Sequence, residues 1–202
     1  MRVLQVVGEF APERCGIAHY TLRLSQELQG NGVDVAICSP TVSAECSVPL
    51  LKLPGSDWTP RTLLDVVAMA RRRRVDWIHL QYAPGSYRHR RIVAMLPLIA
   101  KLAPGAPRVA ATVHEIGGWP LQVPGWVEPL ANRVFSATER AGWFDREALV
   151  LPGMSDLLVV TNPDHFEQVQ RRSPRLACRT RVIPVGPNVS PEMAGAMSRG
   201  EK

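Results

Sequence analysis

Val3-Leu4-Gln5-Val6-Val7-Gly8-Glu9-Phe10-Ala11-Pro12-Glu13-Arg14-Cys15-Gly16-Ile17 joins a short apolar, β-branched run to a segment in which Ile17, Tyr20, Thr21, Leu24 and Leu28 recur at helical spacing. The first five residues have the pattern of a buried strand, and the later ones that of an amphipathic helix. Between them lies a loop with a glycine at each end, Gly8 and Gly16. A strand, a loop and a helix in this order open an α/β sheet and place the loop at the carboxyl edge of the strands, where ligands bind. The amides and dipole of a helix starting near Gly16 would favour an anion such as a phosphate.

The same alternation continues along the chain. Asn31-Gly32 marks a turn before a strand over 33–38, and 49–53 reads as a short edge strand. Thr59-Pro60 should start a helix, with threonine as cap and proline at the first helical position. Leu63, Leu64, Val67 and Ala68 form its expected buried face. Residues 75–82 are the next strand, running into the loop Ala83-Pro84-Gly85-Ser86, and a helix with Ile92, Val93, Leu96 and Ile99 follows, kinked at Pro97. Residues 108–113 form another strand, followed at once by His114-Glu115-Ile116-Gly117-Gly118-Trp119-Pro120. Trp126, Leu130, Val134 and Phe135 suggest a helix; 157–161 is a strand; Asn162-Pro163 caps a helix bearing Phe166 and Val169; and 181–188 is a short strand and turn. The expected fold is therefore α/β, a single Rossmann-like domain over 1–188 with a doubly wound, mostly parallel sheet. Residues 189–202 read as a polar tail or the start of an interdomain linker.

An apolar content of 46% with 21% charged residues excludes wholesale disorder. The net charge of +6 comes from arginine, clustered at Arg71 to Arg74 and at Arg88, Arg90 and Arg91, and suits anionic partners. The first cluster is also what a solvated helix end, favoured by the negative end of a dipole, would carry. Nucleic acid is not expected, because no recognition helix or interleaved aromatic and basic motif accompanies the charge. Cys15, Cys38, Cys46 and Cys178 show no C-x-x-C spacing, and strand-like sequence begins at the third residue, so a reduced, cytoplasmic chain is expected. The greasy run from Ile92 to Leu102 is too short and too interrupted to span a bilayer. Membrane association would be peripheral, at the inner surface.

Three carboxyl-edge loops hold the candidate chemistry: 8–16, 81–86 and 114–119. The first lacks G-x-G-x-x-G, and the second strand ends in Ile37-Cys38-Ser39 where a dinucleotide site wants an acid. It also lacks the lysine and hydroxyl pair of a P-loop. What remains is Gly16, which permits close backbone approach by a ligand. His114, just beyond a strand and beside Glu115, could bond a sugar hydroxyl or a phosphate, or exchange a proton. His79 lies inside a strand and reads as core, or as support for other groups. His79, His114 and Glu115 lack metal-ligand spacing, and no metal is expected.

Pro12-Glu13-Arg14-Cys15-Gly16-Ile17-Ala18 with Tyr20 and Thr21 resembles the first loop of the family 4 glycosyltransferases of the GT-B fold. The likeness continues in order through Asp76 to Tyr82, Ala111 to Glu115, Asp156 to Thr161 and Val182 to Gly186. The resemblance implies the amino-terminal, acceptor-side domain of a retaining, metal-independent enzyme. Such an enzyme moves a sugar from a nucleotide donor to an acceptor that is a small molecule, a glycan or a lipid. It implies that Gly16, with Cys15, meets the donor diphosphate, that His114 contacts the donor sugar as the catalytic candidate, and that Arg14, Tyr82, Glu115 and Trp119 are acceptor-side candidates. No cofactor beyond the nucleotide-sugar co-substrate is implied. Cys15 stands where many members have a second glycine, and Pro187-Asn188 departs from the usual end of the last turn. The family's donor-binding domain would follow Asn188, where Val189 to Lys202 stand here, so transfer is expected to need a second polypeptide or domain. The alternative is a non-catalytic Rossmann-like module binding a sugar, a lipid phosphate or a partner chain.

Overall fold

The computed structural model describes residues 1–12, 14–42, 46–116 and 122–185. Seven strands, β1 (Arg2–Val6), β2 (Asp34–Ser39), β3 (Leu50–Lys52), β4 (Trp77–Tyr82), β5 (Arg108–Val113), β6 (Leu157–Val160) and β7 (Thr180–Val182), form one sheet in the order β3-β2-β1-β4-β5-β6-β7. Every neighbouring pair is parallel. Among the described residues six α-helices accompany them: α1 (Gly16–Gly30), α2 (Pro60–Arg72), α3 (Leu96–Leu102), α4 (Glu128–Arg140), α5 (Leu151–Met154) and α6 (Pro163–Arg172). The chain steps from β1 outward to β2 and β3, then returns past β1 to β4 and continues to β7. That reversal between β1 and β4 is a topological switch point, where an open parallel sheet leaves a crevice at its carboxyl edge.

Alternation along the strands sends two residue sets to opposite faces. Leu4, Val6, Ile78, Leu80, Val109, Ala111 and Leu158 pack with Leu63, Val66 and Val67 of α2, Leu96 and Ala100 of α3, Leu151 of α5 and Val169 of α6. On the other face Val3, Val7, Val35 and Ile37 pack with Ala18 of α1, Phe10 and Val48.

The helix faces differ in detail from the sequence pattern. The fully buried stripe of α1 is Ala18, Thr21 and Ser25 rather than its large side chains. Small residues let the helix lie close to the sheet, and the two hydroxyls are satisfied by carbonyls one turn back, Thr21 to Ile17 and Ser25 to Thr21, each at 2.7 Å. In α2 the buried apolar residues are Leu63, Val66, Val67 and Ala70, and Leu64 is exposed. Its start is as expected, with Thr59 accepting from the Thr62 amide and Pro60 in the first turn. Pro97 does not fall inside a helix but at the start of one. A 3₁₀ turn over Arg91–Met95 precedes α3, and Pro97 falls in the first turn of that helix, where no amide hydrogen bond is needed. The helix expected near Trp126 exists as α4, but Trp126, Leu130 and Val134 are exposed and its buried residue is Glu139. Glu139 is held by Arg146 through paired 2.9 Å bonds. Asn162 caps α6 by accepting from the His165 amide. The turn at 186–188 lies outside the described residues. Among the described residues, no helix is long and apolar enough to cross a membrane.

Candidate functional site

At the switch point the loop after β1 and the loop after β4 are pressed together. A Cβ on Gly8 would stand 2.0 Å from the backbone oxygen of Ser86, so only glycine lets the two segments meet. The Gly8 carbonyl accepts from Trp58 Nε1 at 3.0 Å. After β4 the chain winds into a 3₁₀ turn over Pro84–Tyr87, and fully buried Tyr87 shares its hydroxyl proton between the carbonyls of Val6 at 3.1 Å and Gln81 at 3.0 Å. These contacts tie the carboxyl ends of β1 and β4 together.

Beside them opens a cleft of about 530 Å³ lined by Glu9, Arg14, Cys15, Gly16, Ile17, Tyr20, Gly85, Ser86, His114 and Val185. Its floor is the amino-terminal turn of α1. Cys15 occupies the cap position with extended backbone and makes no side-chain capping bond. The amides of a helix's first turn have no partner within the helix, so this end of α1 offers donors and a positive dipole end to an anion. Among the described residues, no atom lies within 4 Å of where a Gly16 Cβ would stand. Packing within the chain therefore does not demand glycine there, and the space above the backbone is free for a ligand.

His114 forms the opposite wall. Its backbone amide bonds the Tyr82 carbonyl at 2.9 Å, its ring meets Tyr20 edge-on with centroids 5.2 Å apart, and its Nε2 lies 3.0 Å from Gln81 Oε1. Gln81 Nε2 donates to Gln5 Oε1 at 3.0 Å, and His79 Nε2 lies 2.8 Å from Thr112 Oγ1. These polar groups share one face of β1, β4 and β5: Gln5 pairs in register with His79, and Gln81 with Thr112. Burial pushes His114 down to about 4, with nearby His165 adding to the effect. Burial likewise takes His79 to about 4, with His114 contributing. Both imidazoles are thus neutral near pH 7, and His114 meets a ligand as a hydrogen-bonding group rather than a cation.

The structure brings together Arg14, Cys15, Gly16 and His114. Tyr82 and Glu115 line a separate small hollow of about 30 Å³, among Val113, Ile116, Leu158, Val169 and Leu176, with Asp145, Glu147 and Arg172. That volume holds about one water molecule. Arg172 lies 2.9 Å from Glu147 and 3.4 Å from Asp145. The two hollows adjoin at the end of β5, His114 lining one and Glu115 the other. Trp119 lies outside the described residues.

Gln5, Gln81 and Thr112 escape a reading that searches loops for chemistry. The signal for them is polar residues on otherwise apolar strands, two apart and hence on one face, next to His79 and His114. Arg71 to Arg74 are exposed at the end of α2, away from the cleft, and in the second cluster Arg90 is held by Asp57 at 2.8 Å. All four cysteines are free, and burial pushes the Cys38 thiol up to about 12, leaving it inert. Among the described residues no group of three His, Cys, Asp or Glu side chains could hold a metal ion.

No protein-family model matches the chain, and no curated protein sequence matches it. Among solved structures it is similar over 90% of its length to UDP-GlcNAc 2-epimerase from Neisseria meningitidis bound to UDP-GlcNAc, at 13% identity and a TM-score of 0.48. It is similar over 91% of its length to WaaG, a glycosyltransferase involved in lipopolysaccharide biosynthesis, at 10% identity and a TM-score of 0.39. The chain spans 45% of the epimerase and 70% of WaaG. The α/β, Rossmann-like assignment stands on the sheet order and register themselves.

Proposed function

We propose that this chain forms the acceptor-side half of a retaining glycosyltransferase and that the switch-point cleft takes a nucleotide sugar. One observation carries the reading: the uncapped start of α1, open above Gly16, faces a neutral, half-buried His114 across a cleft at the carboxyl edge. The first wall suits a diphosphate. The second suits a sugar hydroxyl, which a neutral imidazole binds without drawing in an extra anion.

In transfer, the bond from the anomeric carbon to the diphosphate oxygen breaks and a bond to the acceptor oxygen forms. The acceptor hydroxyl gives up its proton, and the products are the glycosylated acceptor and a nucleoside diphosphate. Negative charge grows on the departing diphosphate, and the α1 amides are aimed to stabilise it. His114 orients the sugar between the two walls. Tyr82 and Glu115, at the adjoining hollow, are the residues we assign to the acceptor side, together with Arg14 and Trp119. Metal-independent chemistry is part of the proposal, with the α1 amides in place of a divalent cation. The remaining donor contacts come from a second domain facing this cleft.

Titration calorimetry with UDP-glucose, UDP-GlcNAc and GDP-mannose tests the reading, with the chain alone and mixed with a separately expressed family 4 donor-binding domain. Weak binding by the chain alone, with gains in affinity and in sugar transfer on complementation, is the expected result. Binding that gains nothing from complementation would instead make the chain a non-catalytic binding module.

A further inference from the structure

We propose that Gln81 is a positioning residue for the cleft: held by Gln5, its side-chain amide fixes which nitrogen of His114 carries the proton, so that the cleft presents a hydrogen-bond acceptor and takes a hydroxyl donor there. The identity of that donor as a sugar hydroxyl rests on the function proposed above; the tautomer does not.

The assignment follows from counting donors and acceptors. Gln81 Nε2 donates to Gln5 Oε1 at 3.0 Å, which aims Gln81 Oε1 at His114 Nε2, also at 3.0 Å. A carbonyl oxygen only accepts, so His114 Nε2 carries the N–H. A neutral imidazole has one ring proton, so Nδ1 is left bare, and no described residue bonds it. The remaining Gln81 N–H points toward His79 Nε2 at 3.4 Å, which also takes the Thr112 hydroxyl at 2.8 Å. His79 Nε2 is then an acceptor, consistent with a second neutral ring. Burial of both imidazoles removes the charged form from the choice, leaving two neutral tautomers of His114 to be decided by Gln81.

The far end of the network is incomplete. Gln5 is fully buried, and its Nε2 has no hydrogen-bond partner. Turning both amides over would leave an unpaired oxygen at Gln5, place a donor opposite His114 Nε2, and move the His114 proton to Nδ1. Amide orientation and imidazole tautomer are therefore one variable. A ligand hydroxyl donating to Nδ1 stabilises the orientation in the structure, whereas a phosphate oxygen at the same place would require the reverse.

Long-range ¹H–¹⁵N correlation spectra of the ¹⁵N-histidine-labelled chain at pH 7 report the tautomer directly, with His114→Gln assigning the signal. The wild-type chain should show the Nε2–H form in excess. In Gln81→Met, of similar volume, the excess should fall to near unity while thermal melting shows the chain folded. Gln5→Met, which loosens Gln81 without touching His114, should reduce the excess too and serves if Gln81→Met does not fold. An Nδ1–H form in the wild type, or an unchanged ratio in the folded variants, overturns the proposal. In a second arm, UDP-glucose should bind more tightly than UDP, and Gln81→Met should shrink that difference several-fold with UDP affinity unchanged. If neither ligand binds, the sugar-site reading fails while the tautomer ratio still decides the role of Gln81.

Discussion

Acidification from pH 7 to 5 should destabilise the fold by several kcal/mol through two side chains under the cleft. His79 and His114 titrate near about 4 in the folded chain because burial disfavours their charged forms; in the unfolded chain each returns to about 6.5. Between these values the unfolded chain binds protons that the native one does not. Stability is therefore full above about pH 6.5 and is lost as the pH falls through the folded values. Each histidine contributes about 2 kcal/mol of loss by pH 5. The two rings repel once charged and titrate as a pair, so about 4 kcal/mol is the upper bound for both. With a urea dependence of about 2 kcal/mol per molar for a domain of this size, the midpoint should fall by about 1–2 M. Urea unfolding at pH 7, 6 and 5 measures it, and His79→Gln should remove about half of the pH dependence. A midpoint constant from pH 7 to 5, or an unchanged slope in His79→Gln, would refute the reasoning. Depression of the Glu139 carboxyl has the same sign, but the stability it contributes is present above the unfolded carboxylate range and is lost below pH 5.

Two glycines of the first loop should respond oppositely. Gly8→Ala drives a Cβ into the Ser86 backbone and should cost about 1–3 kcal/mol or more, read by thermal or urea unfolding. Gly16→Ala meets open space, so it should leave stability unchanged or raise it by about 0.5–1 kcal/mol while weakening UDP binding in calorimetry. Arg146→Ala removes both guanidinium bonds from a Glu139 that is 4% exposed, leaving the bond from the residue 146 backbone amide, and should destabilise by about 3 kcal/mol at pH 7, with a smaller penalty at pH 4, where the carboxyl can protonate. His114→Ala should lower sugar-nucleotide affinity and abolish complemented transfer; intact transfer would remove His114 from the site.

The strand–loop–helix opening was legible because three signals agree: the apolar run before Gly8, the periodicity after Gly16, and proline and threonine at later helix starts. That the sheet is parallel follows from the alternation of strands and helices; the strand order comes from the structure. The helix faces were less legible. Of the buried stripe of α1 only Thr21 stands in the expected periodic face; Ser25 is buried with its hydroxyl on a backbone carbonyl within the helix, which a hydrophobicity pattern scores as polar. The side chains of Trp126, Leu130 and Val134 have the spacing of a packed face yet stand exposed, since periodicity reports a face without saying what covers it. In the site, Arg14, Gly16 and His114 follow from their positions after β1 and β5. The separation of Tyr82 and Glu115 into another hollow depends on strand facing, and the Gln5, Gln81 and His79 network on register between strands far apart in sequence.

The central claim is that the switch-point cleft is the ligand site, and backbone amide NMR of the ¹⁵N-labelled chain titrated with UDP-glucose tests it most directly. Shifts that saturate and concentrate at Gly16, Ile17, Gly85, Ser86 and His114 are the predicted result. Shifts confined to the arginines at the end of α2 or to the hollow beneath Tyr82, or none at millimolar ligand, would contradict it.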